Sequence, residues 1–184
     1  MAVTRIASVD DAAALAATLQ ENREFLAPWE PLRDDSYFSV EGQQEVLEQA
    51  LEGYARESTV PLVILDDGQI AGRITINGIT RGAFQSASVG YWVSKSHNGR
   101  GLATAAVADV ITIAFRELGL HRLQAETLLH NTASQRVLTR SGFRPFGIAP
   151  AYLKIAGKWQ DHVLFHAFSP AEPTDSPPRP GYPA

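Results

Sequence analysis

Tyr91-Trp92-Val93-Ser94-Lys95-Ser96-His97-Asn98-Gly99-Arg100-Gly101-Leu102-Ala103-Thr104 decides how this chain is read. The stretch passes from strand-like residues through a glycine-containing loop into the start of a helix. A helix start leaves main-chain N–H groups unpaired and carries partial positive charge, so it suits an anion. Glycine takes up positive φ and lets the backbone lie close to a ligand. The stretch therefore predicts a phosphate or pyrophosphate ligand. It is not a Walker loop, because no Gly-Lys-Ser/Thr follows, and the glycine spacing of a dinucleotide fingerprint is absent. A tight strand-to-helix connection that binds nothing is the alternative.

Upstream, residues 86–94 read as a strand, and residues 60–79 as two β-rich runs joined by a hairpin at Asp66-Asp67-Gly68. Ser39 precedes a helix over 40–56, with Val40, Val46, Leu47, Leu51 and Tyr54 at helical spacing. Residues 22–35 read as a loop. The chain opens with a short strand at 3–7, after which Ser8 caps a helix carrying Ala12, Leu15, Ala16 and Leu19. Downstream, Ala103, Val107, Val110, Ile111, Ala114 and Leu118 share one helical face, and Gly119 ends that helix. A strand at 120–129 follows, then a helix over 132–142 capped by Asn131 and stopped by Gly142, then strands at 143–148 and 162–168. A meander followed by alternating strands and helices predicts an α/β (α+β) fold, with a mixed sheet and helices on both faces. Residues 169–184 hold six of the chain's eleven prolines and predict a disordered tail, leaving 1–168 as one domain.

The 184 residues suffice for one well-buried core, and 45% hydrophobic with 20% charged residues is ordinary for a soluble domain. A net charge of −4 argues against direct nucleic-acid binding. No cysteine is present, which excludes disulfides, thiolate metal sites and a cysteine nucleophile. The five histidines show no metal-ligand spacing, so no metal is expected. The first twenty residues lack the pattern of a signal peptide, and no apolar run reaches the roughly 20 residues of a membrane span. A cytoplasmic protein without a membrane partner is expected, as monomer or homodimer.

Asn98-Gly99-Arg100-Gly101-Leu102-Ala103 resembles the acyl-CoA signature of the GNAT superfamily, (Gln/Arg)-x-x-Gly-x-(Gly/Ala), with Asn98 where Gln or Arg is usual. Asn131-Thr132-Ala133-Ser134, a short helix, then Ser141-Gly142-Phe143 resembles the family's next element. Residues 152–162 and 23–31 are similar to the ribosomal-protein-alanine N-acetyltransferases of the RimJ and RimL type. The resemblance implies a GNAT fold, with a mostly antiparallel sheet of about seven strands, and acetyl-CoA as co-substrate. It implies that the main-chain amides from Gly99 to Thr104 hold the CoA pyrophosphate. By the same resemblance, the strand edge at Trp92, Val93 and Ser94 pairs with the pantetheine arm, and the amide of Asn131 bonds that arm. The implied acceptor is a protein N-terminal α-amine, a ribosomal protein by family. A small amine, or a CoA-binding domain whose chemistry has lapsed, is the alternative.

Transfer of acetyl to an amine needs a neutral nucleophile, a polarised carbonyl and a donor to the leaving thiolate. A free α-amine has a pKa of about 7.7–8.0, so roughly a tenth is already neutral at pH 7, whereas a lysine at about 10.4 needs far more help. Ser134, one turn past Asn131, is expected to protonate the thiolate, as the resemblance to RimL-type members implies; a bond to the backbone of its first turn is the alternative. Glu126 is the candidate base unless strand alternation turns it outward. Tyr152 is a candidate to orient substrate or thioester, with plain packing as the alternative. RimL-type enzymes carry a glutamate immediately before this tyrosine, where this chain has Ala151. Asp161 and His162 are expected to shape their strand, since adjacent residues face opposite sides. His97 is read as a loop residue, and Phe25 and Trp29 as a lid or as core.

Overall fold

A computed structural model describes residues 2–170. Seven strands form one sheet in the order β1-β2-β3-β4-β5-β7-β6. They are β1 (Thr4–Ile6), β2 (Val60–Asp66), β3 (Gln69–Thr80), β4 (Ser86–Val93), β5 (Arg122–Leu128), β6 (Arg144–Ile155) and β7 (Lys158–Phe168). All neighbours are antiparallel except β4 and β5, which run parallel. The helices are α1 (Ala12–Glu21), α2 (Arg23–Leu26), α3 (Val40–Ala55), α4 (Leu102–Thr112) and α5 (Thr132–Arg140).

Period-two alternation sorts the buried side chains onto two faces. Leu62 and Ile64 of β2 join Ile74, Ile76, Val89, Leu123 and Phe165 beneath Ala106, Val107 and Val110 of α4. Val63 points the other way and packs with Leu15 of α1 and Leu47 of α3. Helices therefore cover both faces, as expected. Each fully buried leucine or isoleucine contributes about 1.5–3 kcal/mol. Ser8 does cap: its Oγ accepts the Asp10 N–H, while the Asp11 carboxylate accepts the Ser8 N–H at 2.8 Å and a two-pronged bond from Arg5. A 3-10 turn, Val9–Asp11, precedes α1.

Two expectations need correction. Residues 22–35, read as a loop, contain α2, and residues 144–168 form a long hairpin where two short strands were expected. The hairpin turns at Ala156 and Gly157, both with positive φ. β6 carries Pro145 and Pro150, which it tolerates because it is an edge strand. Register slips between Ala149 and Leu153, Ala151 takes a φ of 46°, and its N–H donates to Asp161 Oδ1. Asp161 thus shapes the strand, as expected.

The Ser169 N–H donates to the His121 carbonyl at 2.9 Å. The disorder expected for the proline-rich segment falls on 171–184, outside the described residues. Among the described residues no helix is long and apolar enough to cross a membrane.

Candidate active site

β4 and β5 pair only from Ser86 to Ser88 with Arg122 to Gln124. Beyond that the two strands part, leaving one edge of β4 without a strand partner. The start of α4 lies at the mouth of this gap. Gly99 and Gly101 have φ of 78° and 80°, the left-handed region that favours glycine. A Cβ on either would meet no atom within 4 Å, so both face open space. The first helical bond of α4 runs from the Ala105 N–H to the Gly101 carbonyl. The N–H groups of Leu102, Ala103 and Thr104 precede that bond and have no partner within the helix.

A cleft of about 520 Å³ occupies the gap. Of the expected binding residues it is lined by Trp92, Val93, Asn98, Gly99, Gly101, Leu102, Ala103, Thr104, Asn131 and Ser134, but not by Ser94 or Arg100. The Ser94 N–H donates to the Ala71 carbonyl at 2.8 Å, and its hydroxyl lies 2.6 Å from His97 Nδ1. The Arg100 guanidinium is drawn to Asp66 at the end of β2. Strand alternation explains the placement of Ser94. Main-chain groups of Trp92 and Ser94 point to β3, so those of Tyr91 and Val93 point into the cleft. Of the two Asn131 amides, the side chain's is the one left for the cleft. The main-chain N–H donates to the Leu128 carbonyl at 3.0 Å, and Oδ1 accepts the Ser134 N–H at 3.1 Å, which leaves the side-chain NH2 for a ligand.

Ser134 Oγ lies 2.8 Å from the Tyr91 hydroxyl, and both residues line the cleft. The Ser134 hydroxyl thus has a partner beyond its own turn. Burial pushes the Tyr91 phenol up to about 12, against the opposing effect of the Ser134 hydrogen bond. Sequence reasoning passed over Tyr91. The signal was its position two residues before Val93, which puts both main-chain edges on the cleft.

Glu126 and Tyr152 lie outside the cleft lining. Glu126 alternates with Ala125, which packs beneath α4 and α5, so its carboxyl faces the opposite side of the sheet. It is half-buried rather than solvated; Oε2 is enclosed with no hydrogen-bond partner among the described residues, and burial raises its pKa. The Tyr152 phenol is raised first by burial and then by the negative charge of Glu126. Its side chain is 38% exposed and meets the buried His162 ring edge-on, so the hairpin does not bury it in the core. Phe25, Leu26 and Trp29 line the cleft, with the Trp29 ring 5.3 Å from that of His130. The Glu30 carbonyl accepts the Ala156 N–H and ties this segment to the β6–β7 hairpin. Lys95 N–H donates to the buried Asn22 Oδ1 at 2.7 Å, fixing the start of the glycine turn against the end of α1.

A helix start whose open turn suits an anion, an unpaired strand edge, a hydroxyl pair and a raised carboxyl are parts that suit transfer of an acyl group from a phosphate-bearing thioester. The acetyltransferase (GNAT) domain model matches residues 3–144. The probable N-acetyltransferase YjcK of Bacillus subtilis is 38% identical over 152 residues, 82% of this chain and 84% of that protein. The ribosomal protein uS5 alanine N-acetyltransferase of Escherichia coli is 35% identical over 164 residues, covering 88% and 84%. The solved structure of Mycobacterium smegmatis RimJ in complex with CoA-disulfide has a TM-score of 0.89 at 34% identity, covering 93% of this chain and 83% of that one.

Proposed function

This chain belongs to the GNAT acetyltransferase family, and from that premise we propose that it acetylates the N-terminal α-amine of a protein, a ribosomal protein by preference. It is an acyl-CoA-dependent acetyltransferase. The open glycine turn at the mouth of the β4–β5 gap is the observation that carries acetyl-CoA as co-substrate. The acceptor assignment draws support from the E. coli relative, which is named for a ribosomal protein alanine.

The proposed roles follow from the groups left free. N–H groups of the 99–104 turn bind the pyrophosphate. Tyr91 and Val93 offer their main-chain edge, and Asn131 its side-chain amide, to the pantetheine arm. The Ser134 hydroxyl donates to the sulfur as it leaves. Glu126 takes the proton of the attacking amine, directly or through water, and its raised pKa suits it to that task. Tyr152 orients the acceptor beside it. An α-amine needs only modest help from a base near neutral pH, so a carboxyl standing back from the cleft suffices, and Ala151 leaves no gap in the chemistry. The domain is taken as residues 1–168, working in the cytoplasm.

Thiol release from acetyl-CoA, with mass spectrometry of products, tests the acceptor across short peptides beginning with Ala or Ser and a panel of small amines. Mass gained at a peptide α-amine is the expected result. Turnover on small amines alone would overturn it, and CoA binding without turnover would place the chain among members with lapsed chemistry.

A further inference from the structure

We infer that Tyr91 is a positioning residue for the acyl transfer: it donates to Ser134 Oγ and so aims the Ser134 hydroxyl proton at the departing sulfur. The inference rests on the proposed role of Ser134.

Tyr91 stands on the unpaired stretch of β4 and Ser134 in the first turn of α5, so their 2.8 Å contact joins the two elements across the cleft. Each hydroxyl has one proton to give. If Ser134 donates to Tyr91, the acceptor within reach of the phenolic proton among the described residues is the Ser134 carbonyl, at 3.4 Å, a long and weak bond. If Tyr91 donates to Ser134, the serine proton is free for the cleft. Negative charge arriving on sulfur favours the second arrangement, because each bond in such a chain strengthens the next. Asn131 keeps Ser134 in place by accepting its N–H, so the serine has little freedom beyond rotating its hydroxyl.

The pair donates hydrogen bonds without giving up a proton for good. Moving a proton from a phenol at about 12 to a thiolate whose acid has a pKa of about 8.5 is unfavourable by roughly three-thousandfold. The balance closes without that step. The C–N bond forms at the acetyl carbon, the C–S bond breaks with its electron pair on sulfur, and the proton that nitrogen gives up to Glu126 is balanced by one that the released thiolate takes from solvent. Hydrogen bonding to a charged form lowers the pKa of its acid. The dyad should therefore make bound CoA a stronger acid than free CoA.

The experiment is ultraviolet titration of the CoA thiol bound to the full chain, for wild type, Tyr91→Phe, Ser134→Ala and the double variant, with kcat and the acetyl-CoA KM on whichever amine turns over. The wild-type complex should titrate about one unit below free CoA, a tenfold gain in thiolate. Tyr91→Phe should return most of that shift and lower kcat about 10–100-fold with KM little changed, as expected for a group acting only as bonds form and break. The double variant should match Ser134→Ala, because Tyr91 acts through Ser134. Site-specific fluorotyrosine at position 91 keeps the ring and hydroxyl with a more acidic phenol, serves if Tyr91→Phe melts early, and should lower the bound thiol pKa further. A wild-type titration for Tyr91→Phe, or a double variant worse than Ser134→Ala, overturns the inference. The titration needs no acceptor, so a failed acceptor assignment leaves it intact. A Ser134→Ala complex that titrates as wild type removes Ser134 itself from the proposed chemistry.

Discussion

Replacing Gly72 with alanine should damage the cofactor site from behind, although Gly72 touches no part of the cleft. Gly72 lies on β3 opposite Val93, and a Cβ there would sit 2.2 Å from the Trp92 carbonyl oxygen and 3.0 Å from Val93 Cα. Non-bonded heavy atoms settle at about 3.5 Å, so β4 must move away from β3 by about 1 Å. The atoms in the way are backbone, so no rotamer change relieves them. Overpacking of this kind costs about 1–3 kcal/mol. The displaced segment is Trp92 to Val93, the edge proposed to pair with the pantetheine arm, and a shift of about 1 Å at a reacting site can cost on the order of 100-fold in rate. Two measurements are needed, thermal melting and kcat/KM for acetyl-CoA. Gly90→Ala is the stability control: a Cβ there meets nothing within 4 Å, so it should be neutral or stabilise by about 0.5–1 kcal/mol. A Gly72→Ala protein with wild-type melting and a wild-type acetyl-CoA KM would refute the reasoning.

Gly101→Ala forces a side chain into φ of 80°, costing about 1–2 kcal/mol of stability, and projects a methyl into the turn, so acetyl-CoA affinity by calorimetry should fall well beyond what the melting shift explains. For Glu126→Gln the sign follows from burial. A carboxyl whose folded pKa is raised favours the fold fully below its ordinary value near 4.3 and loses that contribution as pH rises through the folded value. The variant should therefore melt higher than wild type at pH 8, with the gap closing toward pH 4, and its loss of kcat/KM should shrink on the acid side, where the wild-type carboxyl is itself protonated and offers no base; equal melting at both pH values would contradict the burial argument. Asp11 behaves oppositely, since the hydrogen bonds from Arg5 hold its carboxyl below the usual range. Its contribution is present above about 3.9 and lost as pH falls through the lowered value. Asp11→Ala should cost about 1–3 kcal/mol at neutral pH, discounted for the half-exposed Arg5, and nothing in strong acid, read by denaturant titration at each pH.

Much of this architecture was legible in residue order. Hydrophobic spacing placed α3 and α4, and Ser8, Asn131 and Gly101 marked helix starts through chemistry that acts within a few residues. What stayed hidden depends on partners far along the chain. β6 runs on past Ile148 through Pro150, which a strand tolerates at the sheet edge, and edge position is a property of strand order. The pairing of Trp92 and Ser94 with β3 is a matter of which side of a strand each N–H faces, and that needs the neighbour's register. Glu126 was placed on the right strand, yet its missing hydrogen-bond partner is a fact of packing. Tyr91 and Ser134, 43 positions apart, meet only because β4 and α5 flank the same gap.

The three-pair seam between β4 and β5 has a mechanical consequence. Four strands stand on one side of it and three on the other, so the sheet resembles two stiff plates joined by a short hinge. A molecule lodged in the gap bridges both plates and acts as a rivet. Deuterium uptake should be fastest along the parted stretch of β4 in the empty protein and fall on saturation with CoA, with a rise in melting temperature that grows as the logarithm of CoA concentration. Under load from the two ends, the empty protein should tear at this hinge first, and the riveted one should not.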